Sequence, residues 1–197
     1  MRTALLIPVL ACATIASAQM PVDVLPSSRA WIEGSASGRK FVCQVDSVAG
    51  TGSWDKTVSG ELAISVEGIA CENRRMTADL RDLLDVTAHP FIEYEVLRAW
   101  PESDSASAVA DGWLTVAGAS RQTQVSGTLE RVNAETARLR GSVDLMLTDF
   151  GLQPPTKFFG LIKVRNRITV RFDIQAAVGA AAVESTPMNT PTNRNKS

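Results

Sequence analysis

The chain has little with which to build a catalytic centre. It holds one histidine, His89, and three cysteines in 197 residues. A Ser-His-Asp or Cys-His arrangement therefore has a single possible base, and that base abuts Pro90. No G-x-S-x-G elbow, H-E-x-x-H pair, P-loop or G-x-G-x-x-G turn is present. Asp149-Phe150-Gly151 spells the kinase D-F-G triplet, but no glycine-rich loop, strand lysine or H-R-D loop accompanies it. Outside the first 18 residues, two cysteines and one histidine without ligand spacing are too few for a zinc centre, so no metal is expected. Carboxylates are common, but a pair at glycosidase distance is not identifiable, which ranks an acid-base hydrolase low. No catalytic residue and no cofactor is assigned.

Charge of one sign is also missing. The formal net charge is −1, and basic residues are scattered rather than interleaved with aromatics. Nucleic-acid binding has no electrostatic footprint in such a pattern. Long apolar runs are absent too. The run from Thr3 to Ile15 follows Arg2 and leads to Ala16-Ser17-Ala18. It is shorter than the roughly 20 residues that cross a bilayer, and reads as a signal peptide, residues 1–18, cleaved before Gln19. A lipoprotein processed at Cys12, after Val9-Leu10-Ala11, is the less favoured reading. Cleavage takes one, Arg2, from the 20 basic residues and none from the 21 acidic ones, giving a mature net charge of −2. A mature form without a membrane span, exported to the periplasm, is the expectation. Residues 179–197 are rich in Ala, then in Ser, Thr, Pro and Asn, and read as a flexible tail. The domain is then residues 19–178.

Export makes Cys43 and Cys71 candidates for a disulfide, with two buried free thiols as the alternative.

Between these termini the residues alternate. Trp31-Ile32-Glu33 begins a first strand, with a turn at Gly34 to Gly38, and Phe41, Cys43 and Val45 mark a second. Gly50 to Ser53 reads as a turn. Leu62, Ile64 and Val66 share one face of a third strand. From Met76 the period changes to that of a helix. Met76, Leu80, Leu83 and Leu84 form one apolar stripe, and His89-Pro90 is expected to end the helix. Ile92, Tyr94 and Val96 then alternate with Glu93 and Glu95. Asp111-Gly112 is expected to open the strand carrying Leu114 and Val116, and Gly118 to Ser120 to turn it. Gln122 to Val132, then Val143, Leu145 and Leu147, and finally Ile168, Val170, Phe172 and Ile174 complete about eight strands. The class is all-β with one short helix, a barrel or sandwich. A closed eight-stranded barrel is either filled by its side chains or holds one small apolar ligand, and periodicity does not separate the two. Trp54, Trp100, Trp113, Phe158 and Phe159 are candidates to line, gate or fill it.

Three passages resemble the YceI-like family of polyisoprenoid- or lipid-binding proteins. Met76 with Leu83, His89-Pro90, Ile92 and Tyr94 is similar to its helix-to-strand passage. Asp111 to Arg121 (DGWLTVAGASR) is similar to its hairpin, and Leu147 to Leu152 (LTDFGL), followed by Lys163-Val164 and the last strand, to its ending. Gly34 to Phe41 departs from the family's N-terminal passage, and Cys43 and Cys71 are not general to it. The resemblance implies an extended eight-stranded antiparallel lipocalin-like β-barrel with a helix near one end. It also implies export, and a cavity binding an isoprenoid, an isoprenoid quinone or another long-chain lipid.

On that reading the ligand is an apolar small molecule and the protein is not an enzyme. Leu62, Ile64, Ile92, Tyr94, Val96, Leu114 and Val116 are expected to line the cavity, with Leu145, Leu147, Phe158, Val170 and Phe172. Leu80, Leu83 and Leu84 are expected to cover one end. The alternatives are a filled module of the cell envelope, partnered by an envelope protein or a second copy, and a small envelope enzyme using His89 or a carboxylate on a lipid-like substrate.

Overall fold

The computed structural model describes residues 19–102, 106–157 and 162–179. Its first strands are β1 (Met20–Val24), β2 (Arg29–Ala36), β3 (Arg39–Val45), β4 (Val48–Trp54), β5 (Val58–Ser65) and β6 (Ile69–Cys71). Helix α1 (Arg74–Leu83) comes next. Four long strands follow: β7 (Phe91–Pro101), β8 (Ser107–Val116), β9 (Ala119–Arg131) and β10 (Thr136–Met146). A 3-10 turn (Leu147–Phe150), the short strands β11 (Thr156–Lys157) and β12 (Ile162–Lys163), and β13 (Arg167–Val178) complete the chain.

The barrel has eight staves, because three pairs of these strands are single staves interrupted midway. β1 pairs with β4 and β2 with β3 in almost one continuous register, from Met20 opposite Trp54 to Ala36 opposite Arg39. β5 and β6 follow each other along the same stave, with Val48 opposite Ile64 and Cys43 opposite Cys71. All pairings are antiparallel, and β13 closes the ring on β2 through Thr169–Asp173 and on β1 through Ala176–Val178. Closure joins the first and last staves and removes the long free edges of an open sheet, although the β6 segment pairs with β3 alone.

The interruption between β1 and β2 has a local cause. Pro26 lacks an N–H for the ladder. Ser28 replaces the missing bonds: its Oγ donates to the Gln175 carbonyl at 3.1 Å and accepts from the Gln175 N–H at 3.0 Å. Ser28 is buried, as such a staple must be.

The expected turn at Gly50 to Ser53 is instead the interior of β4. Those residues pair with β5, and a Cβ on Gly52 would stand 2.5 Å from the Ser59 carbonyl oxygen. The glycines there serve close strand approach, not reversal. Asp111-Gly112 likewise lies mid-strand, since β8 begins at Ser107. The helix ends earlier than expected, at Leu83, where Asp85 takes a φ of +50° rather than at Pro90. A left-handed residue just past the last turn is a usual helix stop, and the residues from Leu84 to Ala88 are turns.

Asn73 caps α1, its side chain accepting from the Arg75 N–H at 2.8 Å. Arg81 ties the helix to the β5–β6 interruption, donating to Glu67 Oε1 at 2.7 Å and to the Ile69 carbonyl. The apolar stripe of α1 packs with Val66, Ile69, Val116, Leu147, Phe150 and Leu152 into a core across that end. Burial of each such aliphatic or aromatic side chain contributes about 1.5–3 kcal/mol.

Candidate functional site: an apolar cavity inside the barrel

Side chains alternate across a strand, so each stave gives every second residue to the interior. In β7 these are Ile92, Tyr94 and Val96, with Glu93 and Glu95 outside. Leu97 then adds one residue relative to both neighbouring strands, since Val96 faces Gly112 while Arg98 faces Asp111. The bulge exposes Leu97 and moves the inward position to Ala99.

The interior is hollow, enclosing a cavity of about 730 Å3. Leu62 and Ile64 line it from β5, Ile92, Tyr94 and Val96 from β7, and Leu114 and Val116 from β8. Leu145 lines it from the end of β10, Leu147 from the 3-10 turn that follows, and Val170 and Phe172 from β13. Leu80, Leu83 and Leu84 border it at the α1 end, Leu84 being buried in the core. Phe158, and Phe159 with it, lie outside the described residues. Trp100 borders the cavity, with the Arg98 guanidinium 4.3 Å from its ring centroid. Trp113 and Trp54 are not in the lining. Trp113 is half-exposed on the outer face opposite Glu95.

The lining also includes small residues that apolar alternation alone does not single out. Ala108, Ala110, Ala137 and Ala176 face the cavity at the end away from α1. Their signal was present: Ala108 and Ala110 continue the period of Leu114 and Val116. Small side chains at these four positions add to the room of the cavity in that half.

Tyr94 brings a hydroxyl to the lining. Its hydroxyl meets the Thr123 carbonyl at 2.9 Å and that of Ala110 at 3.1 Å. Burial, and secondarily the charge of Asp111, pushes its pKa up to about 12. Its ring covers Gly112, whose absent Cβ would lie 2.8 Å from the ring. The hydroxyl is thus committed to the barrel wall, and the mid-cavity surface is hydrocarbon.

His89 does not line the cavity. Its backbone N–H donates to Asp85 O at 2.7 Å and its ring rests on Gly118. Cys43 and Cys71 face each other across β3 and β6 and form a disulfide, with Cα atoms 3.9 Å apart.

No curated protein sequence matches the chain. Among solved structures, BcnA of Burkholderia cenocepacia is similar with a TM-score of 0.65 at 13% identity, over 75% of this chain and 95% of that one. A polyisoprenoid binding domain from Saccharophagus degradans, implicated in plant cell wall breakdown, superposes with a TM-score of 0.62 at 9% identity, over 79% and 97%. The Campylobacter jejuni YCEI protein does so with a TM-score of 0.58 at 15% identity, over 68% and 83%. At such identities these likenesses speak for the fold. The model of the YceI-like domain matches residues 28–176, and with the eight-stave barrel around it the chain belongs to the YceI-like family.

Proposed function

We propose that the protein is an exported, non-enzymatic binding protein that sequesters or carries a long apolar amphiphile inside its barrel. The ligand class is an isoprenoid, an isoprenoid quinone or a fatty-acid-like lipid. One observation carries this reading, a continuous cavity of about 730 Å3 walled by inward-facing apolar side chains. Small-molecule sites span about 300–1,000 Å3, so the space suits one folded or extended chain. Affinity comes from burial, at roughly 25 cal/mol per Å2 of apolar ligand surface.

Two further features support the reading. The Saccharophagus degradans relative is a polyisoprenoid binding domain. The Cys43–Cys71 disulfide suits an oxidising compartment, which supports passage across the inner membrane to the periplasm after cleavage before Gln19.

The test is mass spectrometry of the natively purified protein and of its organic extract. A long-chain lipid near one per chain, and an N-terminus at Gln19 in the periplasmic fraction, are expected. Protein that carries no lipid and takes up none from a panel of long-chain probes overturns the proposal.

A further inference from the structure

β9 and β10 do not pair along their whole length. Their ladder runs from Arg131 opposite Ala137 to Ser126 opposite Ser142 and stops there. Toward the α1 end, β9 still pairs with β8 as far as Ala119 opposite Val116. β10 likewise still pairs with β13 as far as Met146 opposite Arg167. Each strand keeps its other neighbour while the two part from each other.

Side-chain parity shows what the parting does. Leu129 and Val125 belong to the inward row of β9 and line the cavity. Thr123 and Arg121 continue that row, yet they line a separate groove of about 330 Å3 with Gln122, Met146 and Asp149. Arg121 is exposed, its guanidinium donating to the Ser120 carbonyl at 2.8 Å. Past Val125, then, the inward row of β9 faces the seam.

The groove and the cavity share a wall. Val143 and Leu145 of β10 and Phe150 of the 3-10 turn border both. One layer of apolar side chains divides the two spaces, with no β9–β10 ladder across it. The end of the barrel beside the seam is plugged, because the α1 stripe packs there with Val116, Leu147, Phe150 and Leu152. A route through that end therefore runs sideways, past Val143 and Leu145. Opening it repacks side chains without breaking hydrogen bonds between the two strands, and local openings draw on such weakly bonded segments.

We propose that this seam is a lateral portal, at which β9 and β10 part to pass the ligand's hydrocarbon tail between the cavity and the outside. The proposal rests on the binding function above and specifies the route that ligand takes. Apolar side chains on the inner side keep the closed seam dry, and Gln122, Arg121 and Asp149 present its outer side to water.

The test staples the seam in the full mature chain. The register of the ladder, carried four residues further, sets Gln122 opposite Met146, and both are exposed. Gln122→Cys/Met146→Cys is joined with a short bismaleimide, and Thr128→Cys/Arg140→Cys, a pair within the ladder, serves as the control. Stopped-flow exchange of a fluorescent fatty acid is the readout. The seam staple should slow association and release together by about tenfold or more and leave Kd within about twofold. The control staple should change neither rate. Parental rates in the seam-stapled protein, or equal slowing by both staples, overturn the portal and leave the binding function standing. Hydrogen exchange of the unlabelled parent gives a second reading that needs no variant. Amides of residues 120–125 should exchange faster than those of 126–131, and equal protection along β9 also overturns the portal. If the parent takes up neither the fatty acid nor a fluorescent isoprenoid, the binding function fails and the portal with it.

Discussion

The imidazole of His89 stands against the α-carbon of Gly118, so close that a methyl group there would lie 2.6 Å from Cε1 and 3.0 Å from Nε2. The contact locks the corner before β7 onto the hairpin joining β8 to β9. Gly118 also has a φ of +75°, in the region that side chains other than glycine avoid. Gly118→Ala therefore meets both a backbone and a steric penalty, and should cost about 1–3 kcal/mol in urea unfolding. The double variant with His89→Ala should recover part of that loss, and a strictly additive cycle would show the ring contact to be irrelevant. Lipid content should not change in His89→Ala, as expected of a histidine that joins elements rather than touching ligand.

The same turn contains a stabilising opportunity. Ala117, the first turn residue, has a φ of +46° without a side chain suited to it. Two-residue hairpins with both φ values positive favour Asn-Gly. Ala117→Asn should raise stability by about 0.5–1 kcal/mol, read as a higher urea midpoint at unchanged slope.

Tyr94 gives the barrel an alkaline limit. Its hydroxyl has a pKa of about 12 in the fold against 10.0 for a free phenol. The folded state holds the proton more tightly, so the contribution is intact below pH 10 and is lost as pH rises toward 12. Tyr94→Phe should remove that part of the pH dependence while costing about 1 kcal/mol at neutral pH, the loss of one hydrogen-bonding group. Urea midpoints from pH 8 to 11.5 measure it, and identical alkaline slopes in the two proteins would refute it.

The disulfide closes a loop over a sequence separation of 28 and joins staves that are interrupted nearby. Chain-entropy reasoning puts its contribution at about 3 kcal/mol. The Cys43→Ala/Cys71→Ala protein should melt at clearly lower temperature yet keep its lipid, because the bond braces the wall rather than contacting a mobile part. A variant melting like the parent would show that the staves hold without it.

Much of this architecture was legible in alternation. Ile92, Tyr94 and Val96, and Val170 with Phe172, face the cavity as their period implies, because a side chain's face follows from strand parity alone. The helix stripe was readable for the same reason. What was not legible depends on partners distant in sequence. Leu97 shifts the inward row only because of what β5 and β8 place opposite it. Ser28 replaces ladder bonds only because Gln175 lies beside it. Gly52 looks like a turn until β5 is seen pressed against it. Nor does period two say whether the interior is full. That depends on the summed volume of all inward residues, and the alanines at 108, 110, 137 and 176 decide it.

Those alanines make the cavity's length a testable quantity. Ala176 pairs with Ala137 on one side and Val24 on the other, in the half of the barrel farthest from α1. Ala176→Phe projects a ring into space that is empty, so the fold should tolerate it with a change below about 1.5 kcal/mol, unlike overpacking of a filled core. The ring removes room in the half of the cavity farthest from α1. Lipid recovered from the variant should therefore shift to shorter chains, and affinity should drop for long probes while short ones bind as before. Equal loss for all lengths would show that the ring blocks the cavity as a whole rather than shortening it. Unchanged chain length in the extract would mean that the tail never reaches this part of the barrel.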